Sequence, residues 1–289
     1  MPISRPRLSI LTLLAMLAFA ANSVLCRLAL KQTTIDAGSF TAIRLVSGAV
    51  VLWLLVMLRG GIRTRAPVGK GSWPSACALL AYAFGFSFAY VNLSTGTGAL
   101  LLFGAVQVTM VGHGLRTGEY LGVRQWLGLL LACAGLVVLL LPGVSMPPLG
   151  SALLMLGAGV AWGVYSLRGR GEGKPLEATA GNFMRAVPIA LLLAACLHRD
   201  IALDLAGICY AIASGALASG IGYAIWYSVL PSLKATTAAT VQLGVPVIAA
   251  LAGALLLAEP LTPRLLLAAV AVLGGIVLVM LRRVPAAPR

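Results

Sequence analysis

Runs of apolar residues about twenty long follow one another along the whole chain, separated by short polar, charged or Gly/Pro-containing stretches. They cover approximately 8–28, 38–58, 74–93, 96–115, 124–141, 149–168, 178–197, 205–228, 236–257 and 263–281. Each is long enough to cross the roughly 30 Å hydrocarbon layer as a helix. Barrel strands would need ten-residue segments of strict alternation, and runs such as LLLACAGLVVLLL do not alternate. The pattern predicts an all-α polytopic membrane protein of ten transmembrane helices, with connections too short for a soluble domain. The first run, preceded by Arg5 and Arg7 and ending in AFAANS, also fits a secretory leader cut after small residues.

A second pattern bears on that ambiguity. At a constant offset of 140 residues, Glu119 matches Glu259, Leu121 matches Leu261, Arg124 matches Arg264, Gly104 matches Gly244 and Gly135 matches Gly275. The charged matches carry the comparison, because charges are scarce in this chain. At the same offset AFAANSVLCR lies over AGVAWGVYSL. The first run is thus the counterpart of the sixth, which cannot be a leader, and is expected to stay as a helix. Two units follow, 1–142 and 147–284, of five spans each. An odd number of spans inserts the second unit upside down, giving two inverted five-helix repeats, an architecture of secondary transporters.

Composition sharpens this picture. Apolar residues make up 60% of the 289 and charged residues 10%, with a mean hydropathy of +1.01. Soluble domains carry about 25% charge. The 33 glycines suit close helix approach in lipid, where small residues let backbones touch. The formal net charge of +14 would suggest nucleic acid in a soluble protein, but its placement argues for a membrane. With the N-terminus inside, the outer side receives only Arg27, Lys31, Arg199 and Arg264. Apart from Arg44 and Arg185, which lie within spans, all other Lys and Arg gather on the inner side, as the inside bias of positive charge requires. The expectation is a multi-pass protein of a bacterial inner membrane with both termini cytoplasmic, touching lipid and no nucleic acid.

The candidate chemistry is that of binding. The five cysteines have no paired spacing, and His113 and His198 stand far apart, so no metal, cofactor or catalytic residue is expected. No acidic residue falls at a span centre, so no ion-coupling site is assigned. On span three Tyr82, Phe86 and Tyr90 recur every four residues and share a face. On span eight Tyr223, Trp226 and Tyr227 do the same, and span six adds Trp162 and Tyr165. These rings either line a cavity for a flat or oily cargo, pack helices together, or form an interfacial belt. Asn22, Gln107 and Gln242 are mid-membrane amides, which hydrogen-bond between helices or face a wet cavity. Arg44 and Arg185 either snorkel and clamp a carbonyl as structural latches, or bind a substrate carboxylate. Gly98, Gly104, Gly244 and Pro246 are candidate hinges or static packing features.

Several short motifs recur in order. They are Ala161-Trp162-Gly163, the arginines early in spans two and seven, and the turns Gly118-Glu119-Tyr120-Leu121 and Ala258-Glu259-Pro260-Leu261. Pro246 in span nine and Gly135 and Gly275 late in spans five and ten complete the set. With these the chain resembles the drug/metabolite transporter superfamily, in its EamA-like ten-helix branch, and within it the YddG-type exporters of aromatic amino acids. The resemblance implies a cavity between the halves, walled by spans one, three, four, six, eight and nine, and alternating access. It implies export of small metabolites, amino acids including aromatic and neutral ones first among them, by a monomer or a dimer. Nucleosides, drugs or other amphiphilic metabolites are the nearest alternative cargo, and a non-transporting scaffold is the other reading. The first repeat departs from the family pattern, with Ala21-Asn22-Ser23 where tryptophan and glycine are usual and Val106 opposite Pro246.

Overall fold

The structure is a computed structural model that describes residues 5–60, 70–118, 122–141, 146–169, 173–197, 203–229, 232, 241–242 and 244–280. Every regular element among them is helical. In chain order they are α1 (Arg5–Gln32), α2 (Ala37–Gly60), α3 (Trp73–Tyr90), α4 (Thr95–Arg116), α5 (Val123–Leu140), α6 (Leu149–Gly169) and α7 (Pro175–Leu197). They continue as α8 (Leu205–Val229), α9 (Gly244–Leu257) and α10 (Pro263–Met280).

Seven of the described helices (α1, α2 and α4 to α8) are long and apolar enough to cross a membrane. That is fewer than the ten spans the apolar pattern predicts. The serines, tyrosines, Trp73 and Pro74 dilute the apolar character of α3. Helix α9 has only 14 residues, because residues 236–240 and 243, which belong to the expected ninth span, lie outside the described part. Expectations about Glu119 and both termini also fall outside it.

Helix starts follow local chemistry. Asp36 accepts the backbone N–H of Ser39 (2.8 Å) before α2, and Ser72 accepts that of Ser75 before α3, where Pro74 occupies the first turn. Ser94, Asp204 and Thr262 cap α4, α8 and α10 in the same way. Each cap satisfies one of the N–H groups a helix start leaves without a partner. Pro188 sits inside an unbroken α7, and Pro246 lies near the start of the described stretch Gly244–Leu257.

Packing relies on small residues rather than on hydrophobic burial, because lipid is as apolar as leucine. Leu58, Leu192, Leu255 and Val270 point outward with more than half their surface exposed. Inside, α2 packs on α7, α4 on α9 and α5 on α10, while α3 packs on α6 as α1 does on α8. This contact pattern maps onto itself when the halves are exchanged. The α5–α10 seam shows it best. A Cβ on Gly135 would stand 2.9 Å from Ala271 Cβ, and one on Gly275 would overlap the carbonyl of Gly128. Two glycines related by the 140-residue offset thus bring the backbones of α5 and α10 together. Gly104 faces Leu136 of α5 and Gly98 faces the ring of Tyr90, whereas Gly244 has open space beside it.

Helix α8 is not a plain α-helix. Ser214–Ile221 winds as a π-helix, which sequence periodicity did not foresee. Gly215 lies so close to the backbone of Arg44 on α2 that a side chain there would meet its carbonyl. An α-helix has about 3.6 residues per turn, so residues five apart diverge; the i→i+5 turn brings them onto one face. Ser214 and Ser219 therefore point the same way, toward the centre of the molecule.

Candidate functional site

Helices α1, α3, α4, α6 and α8 meet around a narrow central cavity. Its walls are Phe19, Asn22 and Ser23 of α1, Tyr82 and Phe86 of α3, Leu102 and Phe103 of α4, Trp162 of α6 and Tyr223 of α8. The rings touch one another. Trp162 stands 4.9 Å from Tyr82 and 5.1 Å from Tyr223, centroid to centroid, and stacks at 5.5 Å on Tyr165. Phe19 meets Trp162, Tyr223 and Trp226 edge-on at 5.8 to 6.3 Å. Edge-to-face contacts of this kind are favoured by the ring quadrupoles and hold a cluster together.

A polar network backs one wall. Ser214 donates to Asn22 Oδ1 (2.6 Å), and Asn22 Nδ2 donates to the Tyr82 hydroxyl oxygen (3.1 Å). Arg44 Nη2 donates to the same oxygen (3.1 Å), and Arg44 Nε donates to Ser219 Oγ (3.3 Å). The π-helical turn of α8 supplies both serines. The Arg44 guanidinium is 2% exposed and lies over the rings of Phe86 (4.9 Å) and Tyr82 (5.3 Å). Its Nη1 has no hydrogen-bond partner among the described residues. Aromatic faces attract a cation, yet the described carboxylates, Asp36, Glu177, Asp204 and Glu259, lie at helix ends away from this network.

Arg185 has a different place. It donates to the carbonyls of Lys70, ahead of α3, and of Gly181, and remains half-exposed. Arg44 instead is buried where α8 approaches at Gly215, and among the described residues it donates to side-chain oxygens rather than to a carbonyl.

The other expected residues divide among three surroundings. Tyr90 is fully buried, packs edge-on to Phe86 at 4.7 Å and donates to the Thr95 carbonyl. Trp226 touches the cluster only through Phe19 among the described residues. Tyr165 and Tyr227 line a second, more polar cleft with Ser75, Arg168, Thr179 and Asn182. There Arg168 Nε donates to Ser75 Oγ (2.9 Å). Gln107 is buried on α4 and Gln242 is half-buried in the short helical stretch 241–242; neither walls the central cavity.

Phe19, Ser214, Ser219 and Phe183 were not expected. Phe19 precedes Asn22 by three residues, which is one helical turn and a readable signal. Phe183 stands 5.9 Å from Tyr223, a contact between helices that spacing within one helix cannot show. At one end of the bundle, Arg27 joins Glu259 (3.1 Å) and the carbonyls of Tyr90 and Val91 (2.8 Å each), while Glu259 accepts the N–H of Thr95 (2.7 Å). Glu259 thus serves the start of α4 rather than that of the helix following it, which Thr262 caps. Among the described residues no three His, Cys, Asp or Glu side chains gather as a metal site.

Comparison with known proteins gives a consistent picture. The family described as "EamA-like transporter family" matches twice, over residues 7–141 and 149–281. An uncharacterised protein of Pseudomonas aeruginosa is 60% identical over 283 residues, 98% of each chain. An uncharacterised transporter of Archaeoglobus fulgidus is 28% identical over 195 residues, 66% of this chain and 70% of its own. A crystal structure 19% identical covers 95% of this chain and 96% of its own at a TM-score of 0.69, which shows a shared fold.

Proposed function

Because the chain belongs to the EamA-like transporter family, a group of small-molecule transporters and not enzymes, we propose that it exports amino acids, including aromatic and neutral ones, by alternating access. One observation carries this reading: the aromatic cavity around Trp162 abuts the Tyr82–Arg44–Asn22 network. A zwitterion with an apolar side chain needs contacts of both kinds. The rings accept the side chain, and the Tyr82 hydroxyl and Asn22 amide, backed by the Arg44 guanidinium, meet the backbone part.

In this reading ten spans form two inverted five-helix units, 1–142 and 147–284. The protein sits in the inner membrane with both termini in the cytoplasm, and a single copy suffices as a carrier. The double family match and the exchange symmetry of the helix contacts support the duplication. The charge distribution along the sequence supports the orientation. Arg27 and Glu259 then hold the outer ends of α1, α3, α4 and α9 together.

Counterflow in proteoliposomes, with labelled amino acids, nucleosides and organic cations, tests the cargo. Selective exchange of neutral and aromatic amino acids is expected. Exchange of nucleosides or cations with no amino-acid movement would refute the assignment.

A further inference from the structure

The hydrogen bonds around Tyr82 leave one proton without an acceptor. A phenol oxygen accepts through its lone pairs and donates through one O–H. Asn22 Nδ2 and Arg44 Nη2 both donate into this oxygen. Arg44 is a donor only, and the Asn22 amide oxygen is turned to Ser214, which donates to it. The phenol is therefore left as a donor, and its hydroxyl belongs to a residue that walls the cavity. Arg44 Nη1 is also without a partner. The described wall of the cavity holds no carboxylate. Unpaired donors and an uncompensated positive charge, buried together, are costly in a low-dielectric interior. An anionic oxygen arriving in the cavity offsets both.

We infer that the Tyr82 hydroxyl, backed by Arg44, is a carboxylate subsite, and that the cargo is selected as an aromatic or apolar acid whether or not it carries an amino group. This deepens the amino-acid reading and rests on it. Arg44, behind Tyr82, offers positive charge to the carboxylate, and the described wall offers no anion to the ammonium, so the two ends of a zwitterion are not equivalent here. Tyr82 touches the cargo. Arg44 is a positioning residue that sets the polarity of the phenol and the local charge.

The test uses three probes with one carbon skeleton: phenylalanine, 3-phenylpropionate, which lacks the amino group, and phenethylamine, which lacks the carboxylate. Binding to the purified full chain in detergent is measured by calorimetry, alongside competition against labelled phenylalanine counterflow. Phenylalanine and 3-phenylpropionate are expected to bind within about tenfold of each other, and phenethylamine about a hundredfold more weakly, the range for hydrogen bonds to a charged group. Tyr82→Phe keeps the ring and its packing and should reduce the preference for acid over amine about tenfold. Arg44→Gln should reduce that ratio as well, the readout that separates loss of charge from loss of fold. Phenethylamine binding as tightly as the acids would overturn the carboxylate subsite, as would a ratio unchanged in folded Tyr82→Phe; both leave the amino-acid reading intact. Absence of both binding and counterflow for phenylalanine, with nucleosides or cations moved instead, would overturn both.

Discussion

Arg44 and Arg185 occupy equivalent places early in α2 and α7, yet one is buried against aromatic rings with a nitrogen unpartnered, while the other clamps two backbone carbonyls. A second pair repeats the contrast. Arg27, toward the end of α1, reaches a carboxylate and two carbonyls; Arg168, at the end of α6, reaches two serine hydroxyls. The backbones, by contrast, behave alike: Gly135 and Gly275 make the same kind of close approach at the α5–α10 seam. The difference teaches that the two stretches matched by the family model share a close backbone approach at this seam while their arginines take different partners. Asn22, with Tyr82 and Arg44 bonded into its network, stands in the half whose sequence departs from the family pattern.

The contrast can be broken in several ways. The largest effect is expected at the Arg27–Glu259 pair. Arg27→Gln leaves a carboxylate only 8% exposed without its cation, a loss of about 3–5 kcal/mol. It should appear as lowered thermal stability and faster thiol labelling of a cysteine placed at Thr95. Arg44→Gln should weaken phenylalanine binding by up to about a hundredfold, in calorimetry, with helical content unchanged. Leucine at Gly135 or at Gly275 overpacks the same seam from opposite sides. Each should cost about 1–3 kcal/mol in a detergent melt, and near-equal values would confirm that the halves are equivalent there. Arg185→Gln should cost only about 1 kcal/mol and leave cargo affinity within a few-fold. Glu177→Gln removes an exposed i,i+3 pair with Lys174, worth at most about 0.5 kcal/mol.

Much of this scaffold was legible before any coordinates. Apolar runs located the helices to within a few residues, since burial in lipid leaves few ways to satisfy a backbone. Tyr82, Phe86 and Trp162 stood out because polar or bulky aromatic side chains at mid-span require a reason. The partners of those residues were not legible. Ser214 and Ser219 fall on different faces at α-helical spacing, and only the π-helical turn unites them. The destination of Arg44 depends on how closely α8 approaches α2, which a glycine permits but does not announce. The amides illustrate the same limit: Asn22 joins the network, whereas Gln107, equally buried, does not line the cavity.

The central claim is that the ring-lined cavity is the place where cargo is held as it passes between the two sides. Ser23, which walls it and is 1% exposed, can be replaced by cysteine in a chain freed of its five native cysteines. A membrane-impermeant maleimide applied to either face should label this position slowly from both sides, and phenylalanine should protect it from each. Labelling from one side only, in protein that still exchanges phenylalanine, would contradict the claim.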